Sequence, residues 1–496
     1  MIGGMNKKHI RSFLVVFATL ALTACTSLPP DGARVADTCR DLIRRIDLRV
    51  ASMGVADAAA AQVPGFPYLK TDRFLASFKG ELTSGVRDEK AFDEWVERLR
   101  SLDRTARRIE LRNLGAANIF DTVDDCATRL LAMDRQDPTF RQELMAAVRA
   151  PRHYDDLVRA VGLYPLTQWG AAWGFDRWKQ DNLGVFDQDP AIWQATEENY
   201  FLPVDMSLGD EAVATLIDLS SHNALAIPDL EGSVLTDIAM RYAPVFAVEQ
   251  GTGADRIGKP IWSDTGTPTT LQADPVVYVR LSHTRFDGEI LPQIVYTIWF
   301  PERPQDGPFD ILGGAMDGVH WRVTLDRRGR PLVYDTFHAC GCYHLFFPTS
   351  LVTRVRVEED DDLREEPIVP RQAPDLGNPE PGNEERMIVH IARDSHYIRG
   401  LSAGPVGRDG TLLRLVNEMS APSFGLRSVE NDAGQFRSFF SDTGVMSGTD
   451  RPEQFILWPM GIESAGAMRQ WGTHATAFVG ERHADDPFLL DEAFTR

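Results

Sequence analysis

The chain has 496 residues, with 72 acidic against 52 basic residues, a formal net charge of −20 at neutral pH and a hydrophobic fraction of 43%. That length exceeds one typical hydrophobic core, so two or three domains are expected of a folded chain of ordinary composition. So acidic a balance repels phosphate backbones and anionic headgroups, which argues against nucleic acid or an anionic membrane surface as partner.

Lys7, Lys8 and Arg11 precede an apolar stretch from Phe13 to Leu22, and Leu22-Thr23-Ala24-Cys25 follows. Basic residues, a short apolar run and small residues before a cleavage point have the layout of a secretory signal peptide. The run is about half of the roughly 20 residues that cross a bilayer, so residues 1–24 read as a leader and not as an anchor. The last four residues form a lipobox, and the segment resembles the signal of the bacterial lipoprotein class. That resemblance covers only the first 25 or so residues. It implies cleavage before Cys25, lipid modification of Cys25 and anchorage to the bacterial cell envelope. Thr26 stands where inner-membrane retention would favour aspartate, so the outer membrane is the expected destination. Residues 25–34, with Pro29, Pro30 and Gly32, read as the lipidated cysteine and a short tether. Once Lys7, Lys8 and Arg11 are gone, 49 basic residues face 72 acidic ones, a net charge of −23. The expected membrane contact is therefore the lipid itself.

The next region is helical in pattern. Val35, Cys39, Leu42, Ile43, Ile46 and Val50 recur at threes and fours, as do Phe92, Trp95, Val96, Leu99, Leu102, Ala106 and Ile109, and then Phe120, Val123, Cys126 and Leu130. Apolar residues at that spacing form one face of an amphipathic helix, which predicts an α-helical domain over residues 35–200. The segment from Phe175 to Met240 has no decisive period.

From about Tyr242 the texture changes to short β-branched and aromatic runs between Gly, Pro and Asp. The runs are Val276–Val279, Ile294–Phe300, His320–Leu325, Pro331–Phe337, Ile388–Ala392 and Leu412–Val416. These predict strands, with Asp326-Arg327-Arg328-Gly329 as a hairpin loop. The expected fold class is α+β: a helical N-terminal domain followed by a β-rich, sandwich-like domain over 235–496. Residues 358–386, dense in Asp, Glu and Pro, read as a solvated excursion from it.

Nucleotide motifs fail on chemistry. Gly253-Ala254-Asp255-Arg256-Ile257-Gly258-Lys259-Pro260 has the spacing of a phosphate-binding loop, but Pro260 replaces the hydroxyl residue that should meet magnesium. Gly251-Thr252-Gly253 lacks the third glycine of a dinucleotide fingerprint. No nucleotide cofactor is indicated. There is no H-E-x-x-H pair.

The densest ligand chemistry is His338-Ala339-Cys340-Gly341-Cys342-Tyr343-His344. In an extended strand the side chains at 338, 340, 342 and 344 would share one face, roughly 7 Å apart, too spread for all four to meet one ion. Glycine readily adopts a positive φ, so a turn centred on Gly341 would fold His338 back towards His344 and let the four converge. Two imidazoles and two thiols suit zinc tetrahedrally, and another transition metal less selectively. His283 and His320 are further ligands within the same half, which holds eight of the 11 histidines. An open position on such a metal would make the site hydrolytic; a closed one would make it structural.

The alternative is a non-enzymatic binding or scaffold lipoprotein in which Cys340 and Cys342 close a structural or redox disulfide in the oxidising envelope. Cys39 and Cys126 both lie on apolar helix faces, and a bond between them would leave Cys340 and Cys342 as a separate unit. Tyr242–Phe246, the aromatic strand Ile294–Phe300, Asp317–Thr324 and Pro331–Tyr334 together are loosely similar in layout to the necrosis-inducing-protein and Vps62-like β-sandwiches. That likeness spans about 100 residues and implies a sandwich. It carries over no functional residue, because Arg322 follows Trp321 where that family's motif has an acid.

Overall fold

The computed structural model describes residues 31–203, 208–355, 365–376, 385–405, 409–419, 424–431 and 434–496. The leader and Cys25 lie outside the described residues, as do most of the tether and both acidic ends of the excursion.

The fold is mixed α+β, with helices mainly in the first half and sheets mostly in the C-terminal half. Helix α1 spans Asp31–Met53 and buries Ala36, Cys39, Ile43, Ile46 and Val50. Helix α2, Glu89–Asn113, starts at Asp88, whose carboxylate accepts from the Ala91 amide at 3.0 Å and so satisfies one of the free N–H groups of the first turn. It buries Phe92, Trp95, Val96, Leu99, Ala106 and Ile109. Helices α3 (Phe120–Asp134) and α4 (Phe140–Ala147) complete this core. A disulfide joins Cys39 of α1 to Cys126 of α3. Helix α5, Tyr164–Asn182, differs in kind: small residues, Gly170, Ala171 and Gly174, occupy its middle, while Trp169 and Trp173 are 58% and 69% exposed.

The stretch without a decisive period divides into a strand, β1 (Glu197–Phe201), and two helices, α6 (Asp210–Ser220) and α7 (Gly232–Tyr242). The strands that follow are β2 (Val245–Glu249), β3 (Val276–Phe286), β4 (Glu289–Arg303), β5 (Gly314–Leu325), β6 (Pro331–His338), β7 (Leu345–Pro348), β8 (Glu385–Ile391), β9 (Ile398–Pro405), β10 (Thr411–Leu412) and β11 (Arg414–Asn417). One sheet has the order β7-β6-β5-β4-β3-β11, antiparallel except for the β3/β11 pair. The other runs β9-β8-β2-β1-β10, with β8/β2 and β1/β10 parallel. The expected hairpin at 326–329 is present: Asp326 accepts the Gly329 amide through its carbonyl and the Arg328 and Arg330 amides through its carboxylate. The expected strand Leu412–Val416 is interrupted at Leu413, because its two halves join different sheets.

A single core lies between the sheets. Val319, Trp321 and Val323 of β5, Ile294, Tyr296 and Ile298 of β4, and Val389 and Ile391 of β8 meet there with Val213 and Ile217 of α6 and Leu235 and Ile238 of α7. Burial of each large apolar side chain contributes about 1.5–3 kcal/mol, so this layer fixes the relation of the two sheets. Polar residues that alternate with these on β5 and β6 point to the opposite face. There Arg322 donates to Asp335 at 2.8 and 2.7 Å, both side chains almost fully buried.

Candidate functional site

The Ala339–His344 segment is a turn between β6 and β7. The Gly341 amide donates to the His338 carbonyl at 2.7 Å, and the His338 amide to the Cys342 carbonyl at 3.0 Å. Gly341 has φ +95°, and a Cβ there would lie 2.4 Å from the Ala475 carbonyl oxygen, so only glycine fits.

Register decides where the four expected ligands go. Thr336 pairs with Leu345 and Asp335 with Phe346, which sets Phe337 opposite His344 and His338 opposite Tyr343. Residues opposite one another in an antiparallel pair share a face, and neighbours along a strand do not. His338 and His344 therefore lie on opposite faces of the sheet. His344 Nε2 is 2.8 Å from Asp335 Oδ2, beside Arg322. His338 Nδ1 is 3.4 Å from Asp317 Oδ1, and Asp317 Oδ2 is 2.9 Å from His396 Nδ1. Cys340 and Cys342 do meet, with the Cys342 amide 3.4 Å from the Cys340 sulfur, and both carry free thiols with no bond between them. The hydrogen bond to Cys340, together with burial, pushes the Cys342 thiol well above its usual range.

The other two expected ligands lie in separate surroundings. His283 Nε2 is 3.0 Å from the Pro228 carbonyl oxygen, and its ring stacks on Phe74 of the helical half; burial lowers it to about 4. His320 Nδ1 is 2.8 Å from the Thr297 hydroxyl, and burial, with Arg280 and Arg322 nearby, lowers it to about 3. Among the described residues, no three His, Cys, Asp or Glu side chains are grouped around a position that one ion could occupy.

What the turn does form is a floor. Two cavities lie against it, separated by Tyr343 and Trp178, whose rings are 4.9 Å apart and which line both. The larger, about 660 Å³, runs under α5 along Gly170, Ala171, Gly174 and Phe175, with Cys342 and Met460 on the other side. The α5 residues recur at the helical repeat, so a face of small side chains leaves the space open. Besides Cys342, Tyr343 and His344 of the turn, three ionisable groups from elsewhere in the chain line it. Glu365, from the middle of the expected solvated excursion, turns inward and accepts the Phe478 and Val479 amides at 2.8 and 3.0 Å. Arg482 donates to the Glu365 carbonyl at 2.9 Å. Glu453 is raised to about 7 by burial, against the pull of Arg451 and Arg303. The smaller cavity, about 350 Å³, is walled by Trp193, His338, Tyr343, Tyr397 and Arg399. Burial depresses His338 despite Asp317, while His338, His396 and Arg451 hold Asp317 ionised despite its burial.

Glu365, Glu453 and Arg482 were not expected at a site. Glu365 belongs to a run of acids that composition alone marks as solvated, and Glu453 and Arg482 come from separate loops with no motif. Comparison of the chain with protein-family models, curated proteins and solved structures finds no match. No described helix is long and apolar enough to cross a membrane.

Proposed function

We propose that the chain is a lipid-anchored envelope protein that binds a small, largely apolar molecule in the larger cavity beneath α5. The observation that carries this reading is the cavity: a concave space of about 660 Å³ with mostly aliphatic and aromatic walls and a few converging polar groups. That is the size and character of small-molecule sites in general. Glu453, close to half-protonated near neutrality, offers a hydrogen-bond donor or acceptor to a polar end of the ligand. The Glu365–Arg482 pair fixes the far wall. Anchorage rests on the lipobox ending at Cys25.

The test is to fill the cavity. A Cβ at Gly170 or Gly174 meets no atom within 4 Å, so Gly170→Leu and Gly174→Leu extend into open space without a clash. The mature chain should carry an apolar molecule that organic extraction releases for mass spectrometry. A fluorescent fatty acid should bind it and lose affinity by at least about tenfold in the two variants, the change that 1.4 kcal/mol produces, with melting temperature retained. Unchanged affinity in both variants would remove the cavity from the reading.

A second reading rests on the contact of the two thiols. Cys340 and Cys342 are two soft ligands for zinc or another transition metal, with the remaining positions supplied by a molecule in the cavity. Elemental analysis of the purified chain beside a Cys340→Ser/Cys342→Ser variant decides it: near-stoichiometric metal lost in the variant supports a metal centre, and none in either leaves only the cavity.

A further inference from the structure

The outer face of the five-stranded sheet, away from the shared core, carries a hydrogen-bonded chain of three side chains that the cavity does not use. Ser402 Oγ on β9 is 2.8 Å from His390 Nε2 on β8, and His390 Nδ1 is 2.9 Å from Glu197 Oε2 on β1. The carboxylate fixes the tautomer: Nδ1 carries the proton donated to Glu197, and Nε2 accepts from the Ser402 hydroxyl. That is the arrangement of nucleophile, base and orienting acid.

Several local choices build it. His390 and Glu197 are separated by β2, where the residue paired with His390 is Ala247; that small side chain leaves room for Glu197 to reach across. Gly400 stands opposite His390, and a Cβ there would lie 2.8 Å from the Trp193 ring, so glycine lets Trp193 close over the imidazole. The β8/β9 register slips between His390 and Ile391, leaving Arg399 as the extra residue. Such a bulge re-aims a side chain. Here it sends the Arg399 guanidinium to Glu197 at 2.8 Å and to Glu249 at 2.5 Å. Glu197 and His390 are buried, while Ser402 stays partly exposed. Among the described residues β9 is an edge strand, so alternate amides beside Ser402 point away from the ladder.

We propose that Ser402, His390 and Glu197 form an esterase site, in which Ser402 is the nucleophile, His390 the general base and Glu197 the residue that positions His390. Ser402 Oγ attacks the carbonyl carbon of a carboxylic ester and its proton passes to His390 Nε2. The bond from carbon to the leaving oxygen breaks, and the alcohol departs with that proton. Water, deprotonated by His390, then attacks the acyl-serine. The carboxylic acid leaves and the proton returns to Ser402. Outward amides of β9 take the negative charge on the carbonyl oxygen. This activity is independent of the cavity reading.

The experiment uses the mature chain with p-nitrophenyl butyrate as substrate and a fluorophosphonate as covalent probe, the modified peptide being located by mass spectrometry. The probe should mark Ser402 in the folded protein only. Ser402→Ala should abolish labelling and turnover with melting temperature unchanged. Glu197→Gln should lower kcat by about 10²–10⁴-fold with KM little changed, as loss of the orienting acid does elsewhere. A purely structural Glu197 would move stability and not that ratio. If His390→Gln fails to fold, Ser402→Cys keeps the arrangement, and its thiol should alkylate far faster at pH 7 than a free cysteine. No labelling of Ser402 at millimolar probe, or turnover undiminished in Ser402→Ala, overturns the proposal.

Discussion

Phe337 faces His344 across the β6–β7 turn, with ring centroids 5.1 Å apart, and His338 meets Tyr343 on the other face of the sheet at 5.2 Å. The two histidines thus belong to different networks: His344 to Asp335 and Arg322, His338 to Asp317 and His396.

Side chains without a shared partner act additively on stability. In a double-mutant cycle, His338→Ala and His344→Ala should couple by less than about 0.5 kcal/mol in chemical denaturation. Coupling well above that would show one ligand or ion held by both.

Among the described residues Asp335 is the only carboxylate paired with Arg322, and both side chains are almost fully buried. Removing one member of a buried pair leaves the other charge uncompensated. Asp335→Asn should therefore destabilise the chain by about 3–5 kcal/mol. A loss below about 1 kcal/mol in urea unfolding would mean that Arg322 finds another partner.

Glu453 binds its proton more tightly in the folded chain, with its pKa raised from 4.5 to about 7 by burial. The folded state then holds more protons than the unfolded state between those values, so stability falls as pH rises from about 4.5 to about 7 and levels off above. The full span is on the order of 3 kcal/mol before solvent screening. Glu453→Gln should flatten that part of the stability profile, measured by melting temperature from pH 4 to pH 8. A slope unchanged in the variant assigns it to other groups.

The Cys39–Cys126 bond closes a loop of 87 residues. Loss of such a constraint on the unfolded chain costs about 4–5 kcal/mol. Cys39→Ser/Cys126→Ser should be destabilised by that amount, and the oxidised, unfolded mature chain without Cys25 should titrate two thiols, Cys340 and Cys342. Four thiols under non-reducing conditions would show that the bond does not form.

Local patterns were readable wherever a residue's role depends on its neighbours in sequence. Phe92, Trp95, Val96 and Leu99 mark a helix face because the helix repeats at that spacing, and Pro331–Phe337 marks a strand for the same kind of reason. The ligand set at 338–344 depended on register. A turn symmetrical about Gly341 would pair His338 with His344 on one face. The actual register is one residue away, and one residue reverses every side chain. Glu365 was hidden by the composition of its surroundings, and the Glu197, His390 and Ser402 chain by distance along the sequence, since three strands must first align.

Leu413 is one buried residue between Thr411–Leu412, which extends the five-stranded sheet, and Arg414–Asn417, which extends the six-stranded one. A sandwich whose layers are joined by long loops can slide or part like two hands. Here a single peptide step is stitched into both palms, so neither layer can peel away without tearing an edge of the other. Melting of the β portion is then expected to proceed as one event, and a cut engineered at Leu413 would be the place to see it become two.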